Sequence, residues 1–427
     1  MQRFSFGVLF LAALYVSASA NATPDPLDTA LAAASSVPAV TLALPVADHP
    51  APHIALLLPL KSPDFAHAAE IVQQGFIAAA GVQQGLPLRV YASRNEGKEV
   101  IALYRQAIAN GALAVAGPLT RDGVAILAAY PDITIPTLAL NAPLLPGSSN
   151  QLYFFGLPAE MEARQIAQLA IAANLHDATI LTTGSALSKR LAAAFAEEWK
   201  NQGGNVTAEI LFNEDFPALG KLPVAPWPEG TEPQPVSAVS ATGEPIPNAR
   251  PLPPPIAPGN MLFLATDHDE ARRIRPYLNP TLPVYATSLM FNGNTGKQCA
   301  NYDLNEVQFV DMPWLLQPDH PAVMIYPHTA APLAPEDERL YALGIDAYRL
   351  VHILLNRQSD SALPLDGVTG QISLSRQQFL REPLPAFFRQ GLGLTKETLA
   401  ALNAAKAAAK EAEQQTQDGS IPPLPEK

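Results

Sequence analysis

Apolar residues in this chain come in short unbroken runs that alternate with longer stretches of helical spacing. In Ala112-Leu113-Ala114-Val115-Ala116 no polar residue interrupts the run, Gly117-Pro118 stops it, and a helix start follows at Thr120. A strand without polar alternation is buried on both faces, the habit of parallel sheets covered by helices. Residues 54–58 and 137–141 repeat the pattern, and each run ends on a polar or turn residue, where an open α/β sheet places a ligand crevice. Phe65, Ala69, Val72, Phe76 and Ala80 recur at helical spacing and predict a helix packed by one face, with Ser62 as its N-cap and Pro63 at its first position. Residues 88–91 and 136–140 read as strands; 99–110 and 121–129 read as helices. Repeated β-α units of this length imply right-handed crossovers and one parallel sheet.

A second set follows. Residues 151–156 predict a strand and 160–174 a helix with Met161, Ile166, Leu169 and Ala173 on one stripe. A strand at 178–181, a helix capped by Ser185 and a strand at 206–211 come next. Then proline fills 13 of the 43 positions from 217 to 259. Proline fixes φ and removes a backbone donor, so this segment reads as a long exposed insertion, extended or disordered. The pattern resumes at 261–265, with Asp267 capping a helix and strands at 283–286 and 307–310. Pro335 opens a long helix whose apolar face runs through Leu340, Leu343, Ala347, Leu350, Val351 and Leu354. Residues 367–374 read as a short β excursion, the stretch from Thr395 as a helix with little apolar face, and 415–427 as a disordered tail.

Length allows two or three domains, and 48% hydrophobic residues suffice for a large core. A net charge of −12 without a basic patch argues against nucleic acid and anionic membrane surfaces as partners. At the N-terminus, Arg3, an apolar stretch over 4–16 and small residues over 17–22 follow the order of a cleaved secretory signal peptide. The apolar stretch is shorter than the roughly 20 residues a spanning helix needs. Residues 23–51 read as a flexible leader. The lone cysteine, Cys299, excludes an internal disulfide and reads as a small hydrophobe, and its position predicts no lipid anchor.

No catalytic or metal signature is present. Gly293-Asn294-Thr295-Gly296-Lys297 hints at a phosphate loop, but Phe291 stands where a Walker loop has its first glycine and Gln298 where it has Ser or Thr. Asp267-His268-Asp269 reads as an N-cap and acidic first turn, and His67 with Glu70 as a solvated face. Thr183-Gly184-Ser185 lacks the spacing of a nucleophile elbow. No cofactor is expected. Thr120, Asn141, Ser185, Asp267 and Ser288 all fall at strand ends, and a cleft between two α/β lobes would collect them.

In order along the chain, Ile54-Ala55-Leu56-Leu57-Leu58-Pro59-Leu60, Gln74-Gly75-Phe76-Ile77-Ala78-Ala79, Ala116-Gly117-Pro118-Leu119 and Leu138-Ala139-Leu140-Asn141 resemble the LppC/LpoA family. Phe155-Gly156-Leu157 with Glu160, Glu162 and Ala163 continues the likeness. Leu340-Tyr341-Ala342-Leu343-Gly344-Ile345-Asp346-Ala347-Tyr348 is its most specific part, and Gly367-Val368-Thr369-Gly370 and residues 381–391 complete it. The resemblance spans about residues 52–393 and implies a type I periplasmic-binding-protein-like fold: two Rossmann-like α/β lobes with parallel sheets joined by crossovers. It places 52–157 with 325–362 in the first lobe and 158–324 with 363–393 in the second. It further implies a non-enzymatic periplasmic regulator that binds a peptidoglycan synthase, a penicillin-binding protein. The alternative is a periplasmic solute receptor closing on a small polar ligand such as an amino acid.

Overall fold

The computed structural model describes residues 50–142, 149–232, 255–294, 298–356 and 362–418, with side chains described through 408 apart from 298–300. The signal-peptide stretch, most of the leader, the Cys299 side chain, residues 295–297 of the glycine-lysine stretch and 419–427 of the tail lie outside the described residues.

The first lobe grows from the uninterrupted apolar runs. β1 (His53–Leu58) sends Ile54, Leu56 and Leu58 to one face of its sheet and Ala55 and Leu57 to the other, and all five are buried. β2 (Leu88–Ala92) and β3 (Ala112–Ala116) pair with it in parallel, followed by β4 (Thr137–Ala139) and β5 (Leu152–Phe154). α1 (Ala66–Val82) covers one face; α2 (Glu96–Ala109) and α3 (Arg121–Ala128) cover the other. Ser62 does not cap α1: its hydroxyl accepts from the Asp64 and Phe65 N–H groups in a turn, and the helix begins only at Ala66.

In the second lobe α4 (Ala159–Ala172) and α5 (Ala186–Asn201) pack on one face of a sheet built from β6 (Asp177–Thr182), β7 (Asn205–Leu211), β8 (Asn260–Ala265), β9 (Val284–Ala286) and β10 (Val307–Asp311). Phe195 stacks on Phe263 at 4.3 Å and on Trp199 at 5.3 Å, and these rings form the centre of that layer. α6 (His268–Ile274) covers the opposite face.

After β10 the chain returns to the first lobe. α7 (Pro335–Leu355), with Pro335 at its start, lies along α1, and its apolar face enters the same core. The two helices touch at glycines: a Cβ on Gly344 would lie 2.2 Å from the Val72 carbonyl oxygen, and one on Gly75 would lie 1.9 Å from that of Tyr341.

The sheets are mixed rather than purely parallel. β11 (Leu365–Gly367), β12 (Gly370–Ser375) and β13 (Gln378–Glu382) extend the first sheet, giving the order β11-β12-β13-β5-β4-β3-β1-β2. β14 (Leu384–Arg389) and β15 (Leu392–Leu394) extend the second, giving β15-β14-β10-β9-β8-β6-β7. The β11–β12, β12–β13, β10–β14 and β14–β15 pairings are antiparallel. The resemblance put the whole of 363–393 in the second lobe; in the structure the chain serves the first sheet up to Glu382 and changes sheets at Pro383. The reason is a buried carboxylate. Asp346 on α7 accepts from the backbone N–H groups of Val368 and Thr369 at 3.2 and 2.8 Å and from the Thr369 hydroxyl at 2.7 Å, which ties the β11–β12 turn to the first lobe.

The described ends of the proline-rich insertion also differ from an exposed loop. Asp215 caps a helical turn at Phe216–Leu219, and Leu219 is buried. The Pro223 carbonyl accepts from Thr179, and the Asn260 side chain pairs with both the N–H (2.6 Å) and the carbonyl (3.2 Å) of Ala225. Residues 233–254 lie outside the described residues. α8 (Lys396–Asp418) continues past residue 415, where the sequence predicts a tail.

Candidate functional site

Both lobes contribute to one cavity of about 270 Å³. Leu119, Arg121, Leu140 and Asn141 come from the first lobe, Leu157 and Pro158 from the connection, Glu160, Leu187 and Arg190 from the second lobe, and Leu340 and Leu343 from α7.

Local structure explains the Arg121 position. Gly117 has φ +104°, and a Cβ there would lie 1.9 Å from the Leu57 carbonyl oxygen, so only glycine fits. The turn that follows presents two backbone N–H groups to the buried Glu96 carboxylate, Leu119 at 3.1 Å and Thr120 at 2.6 Å. Thr120 then caps α3 by accepting from the Gly123 N–H at 3.2 Å, and Arg121 opens the helix at the cavity. Burial pushes the Glu96 carboxyl above its ordinary range, against the pull of these backbone donors.

Across the cavity, Arg190 Nε donates to Glu160 Oε1 at 2.7 Å, and Arg121 Nη2 lies 3.6 Å from the same oxygen. The Arg121–Glu160 contact therefore joins the lobes. Burial works against the Glu160 charge, but the Arg190 hydrogen bond, its own backbone N–H and the Arg121 charge outweigh it and hold the carboxyl below its ordinary range.

A second set of charges lies where the chain crosses between lobes. Glu162, on the first turn of α4, pairs with Arg381 of β13, and its other oxygen accepts from the Ser288 N–H at 2.9 Å. Arg339 of α7 grips Asp311 of β10 through Nη2 at 2.6 Å and Nε at 3.2 Å, and donates to the Ser288 and Phe291 carbonyls at 2.9 and 2.8 Å. All four charged side chains are buried or nearly so. Burial opposes both charges: it pushes the Asp311 carboxyl up even against the pull of Arg339, whereas at the Arg339 guanidinium Asp311 first and Glu162 after it outweigh burial.

Of the residues singled out from sequence, Asn141 lines the cavity and donates to the Leu119 carbonyl at 3.0 Å. Thr120 stands between two lining residues but serves as a cap. Ser185 caps α5 by accepting from the Ser188 N–H at 3.1 Å. Asp267 forms a capping box with Glu270 and does not line the cavity. Ser288 belongs to the crossing cluster through its backbone. The structure therefore does not gather the five residues in one place. The charged groups that do converge, Arg121, Glu160 and Arg190, look in sequence like helix-surface residues, and only the juxtaposition of two lobes reveals them. Among the described residues no group of three or more His, Cys, Asp or Glu could hold a metal, and no helix is long and apolar enough to cross a membrane.

Comparison with known proteins places this geometry in a family. The model described as "LppC putative lipoprotein" matches residues 28–223 and 252–388. The chain is 27% identical to the penicillin-binding protein activator LpoA of Yersinia pseudotuberculosis serotype O:1b (strain IP 31758), over 79% of this chain and 60% of that protein. It is 26% identical to the protein of the same name from Pantoea ananatis (strain LMG 20103), over 73% of this chain and 48% of that protein. It thus spans between about half and three fifths of these relatives. Among solved structures, it is similar to a "putative branched-chain amino acid ABC transporter" from Chromobacterium violaceum ATCC 12472, with 35% identity, a TM-score of 0.62, and coverage of 79% of this chain and 100% of that one. The LpoA C-domain from Haemophilus influenzae, described as a regulator of PBP1A, shares the fold at 22% identity and a TM-score of 0.60, with 80% of this chain and 99% of that one covered. These neighbours and the two crossing lobes establish the type I periplasmic-binding-protein-like fold. With the family match extending over most of its length, the chain belongs to the LppC family.

Proposed function

We propose that this protein is a non-enzymatic regulator in the bacterial periplasm that binds a peptidoglycan synthase of the penicillin-binding class and changes its activity. The observation that carries the reading is the likeness to relatives named penicillin-binding protein activators over 79% and 73% of the chain. The site chemistry suits docking: the converging groups are ion pairs and leucines. The N-terminal stretch exports the chain, and mass spectrometry of the mature protein will find its first residue between about 19 and 24; an uncleaved product would contradict export. The regulatory role is tested by the rates of glycan polymerisation and peptide cross-linking by a purified synthase, with and without this protein. A saturable change in either rate supports the role, and identical rates reject it.

One observation favours a second reading, a solute receptor. The 35%-identical Chromobacterium structure carries a transporter description, and the cavity lies between lobes as a solute site would. Calorimetric titration with leucine, isoleucine and valine tests it; saturable heat would support a receptor, and flat traces would remove it.

A further inference from the structure

Four side chains decide whether the cavity can close. Glu162 with Arg381, and Asp311 with Arg339, pair from one lobe to the other, and the Ser288 peptide joins the pairs, its N–H to Glu162 and its carbonyl to Arg339. Rotating one lobe against the other slides a buried charge off its partner and leaves it uncompensated in a low-dielectric interior, which is strongly unfavourable. The two pairs therefore favour the present aperture. At that aperture the Arg121 and Arg190 side chains stay 48% and 45% exposed. A small solute site encloses about 70–90% of its ligand, and a cleft held at this aperture leaves such a ligand in water. A segment projecting from a larger surface brings its own cover.

Charge selects the segment. Glu160 takes one N–H of Arg190 and stands 3.6 Å from Arg121, so each guanidinium keeps donors to spare, and two positive charges face one negative. At physiological salt, screening over about 8 Å makes these local charges outweigh the distant acidic surface. The surrounding wall is apolar, formed by Leu119, Leu140, Leu157, Leu340 and Leu343. Guanidiniums of this kind recognise carboxylates through paired N–H groups. We infer that the inter-lobe cleft is a docking seat for a loop of a protein partner that carries an acidic side chain flanked by apolar ones, recognised by Arg121 and Arg190. The inference rests on the reading that the partner is a peptidoglycan synthase.

The test measures the affinity of the full mature protein for the purified periplasmic portion of a penicillin-binding protein from the same bacterium, at low and high salt. The wild type should bind more weakly as salt rises, and Arg121→Gln/Arg190→Gln should bind at least about tenfold more weakly with a flattened salt dependence, while its thermal melt stays cooperative, lowered only by the loss of the Glu160 pairs. A large excess of leucine should leave the affinity unchanged. Should the double variant fail to fold, Arg121→Gln alone, at a half-exposed side chain, gives the same comparison. Equal affinity of wild type and variant overturns the docking seat and leaves the synthase reading standing. Competition by leucine also overturns it, and absence of binding by the wild type overturns both.

Discussion

Arg381, on the last strand of the first sheet before the chain changes sheets, and Glu162, on the first turn of a second-lobe helix, form a buried ion pair that ties one lobe to the other. Removing either partner strands the other charge, so Arg381→Ala or Glu162→Ala should each cost about 3–5 kcal/mol. Glu162→Leu/Arg381→Leu, which removes both charges, should cost much less than the sum. Urea melts of the three variants check this. Additive losses would mean that the two residues do not act as a pair.

The close approach of α1 and α7 makes a second prediction. Gly344→Ala places a Cβ 2.2 Å from the Val72 carbonyl oxygen, and the helices must separate to admit it. Overpacking of this kind costs about 1–3 kcal/mol, visible as a lowered melting temperature. Because α7 fills the core of the first lobe with residues far along the chain, a fragment of residues 52–310 should show no cooperative melt of that lobe. A fragment that melts like the whole protein would contradict the discontinuous lobe.

Two carboxyls give opposite pH slopes. Glu160 has a folded pKa below its ordinary 4.5, so its ionised form stabilises the fold above that pH and the contribution is lost as pH falls through the folded value. The stability advantage of wild type over Glu160→Gln should therefore grow from acid to neutral pH. Glu96 has a raised folded pKa, so its contribution is complete below 4.5 and is lost as pH rises through the folded value. The advantage of wild type over Glu96→Gln should shrink over the same range. Parallel slopes for the two variants would contradict this assignment.

The ends of the proline-rich segment should matter more than its middle. Replacing residues 233–254 with a short Gly/Ser link should change stability by no more than about 1 kcal/mol, since closure entropy varies slowly with loop length. Asn260→Ala, which strands both backbone groups of Ala225, should cost about 1–3 kcal/mol. Chemical denaturation of both variants decides the matter, and the reverse ranking would show that the middle packs.

Much of the fold is legible in the apolar runs and caps. Thr120, Ser185 and Asp267 each cap the helix that the local pattern assigns to them. The stripe on α4 shows where such reasoning stops. Spacing puts Met161 inward, but the buried residues are Glu162, Ala163, Ile166, Ala167 and Ala170. A hydrophobic count cannot place a glutamate in a core, because what places it there is Arg381, distant in sequence. The β excursion at 367–374 is legible, but the sheet it joins is not, since its anchor is the buried Asp346 on another element. The candidate site was the least legible part: its charged members look like solvated helix residues until two lobes bring them together.

Regulation of a synthase by this chain requires that the two bind. The most direct measurement is paired calorimetry, with the mature protein titrated into the periplasmic portion of a penicillin-binding protein and, separately, with leucine, isoleucine and valine titrated into the mature protein. Saturable heat is expected with the synthase and none with the amino acids. Flat traces with the synthase and saturable heat with an amino acid would contradict the regulatory role.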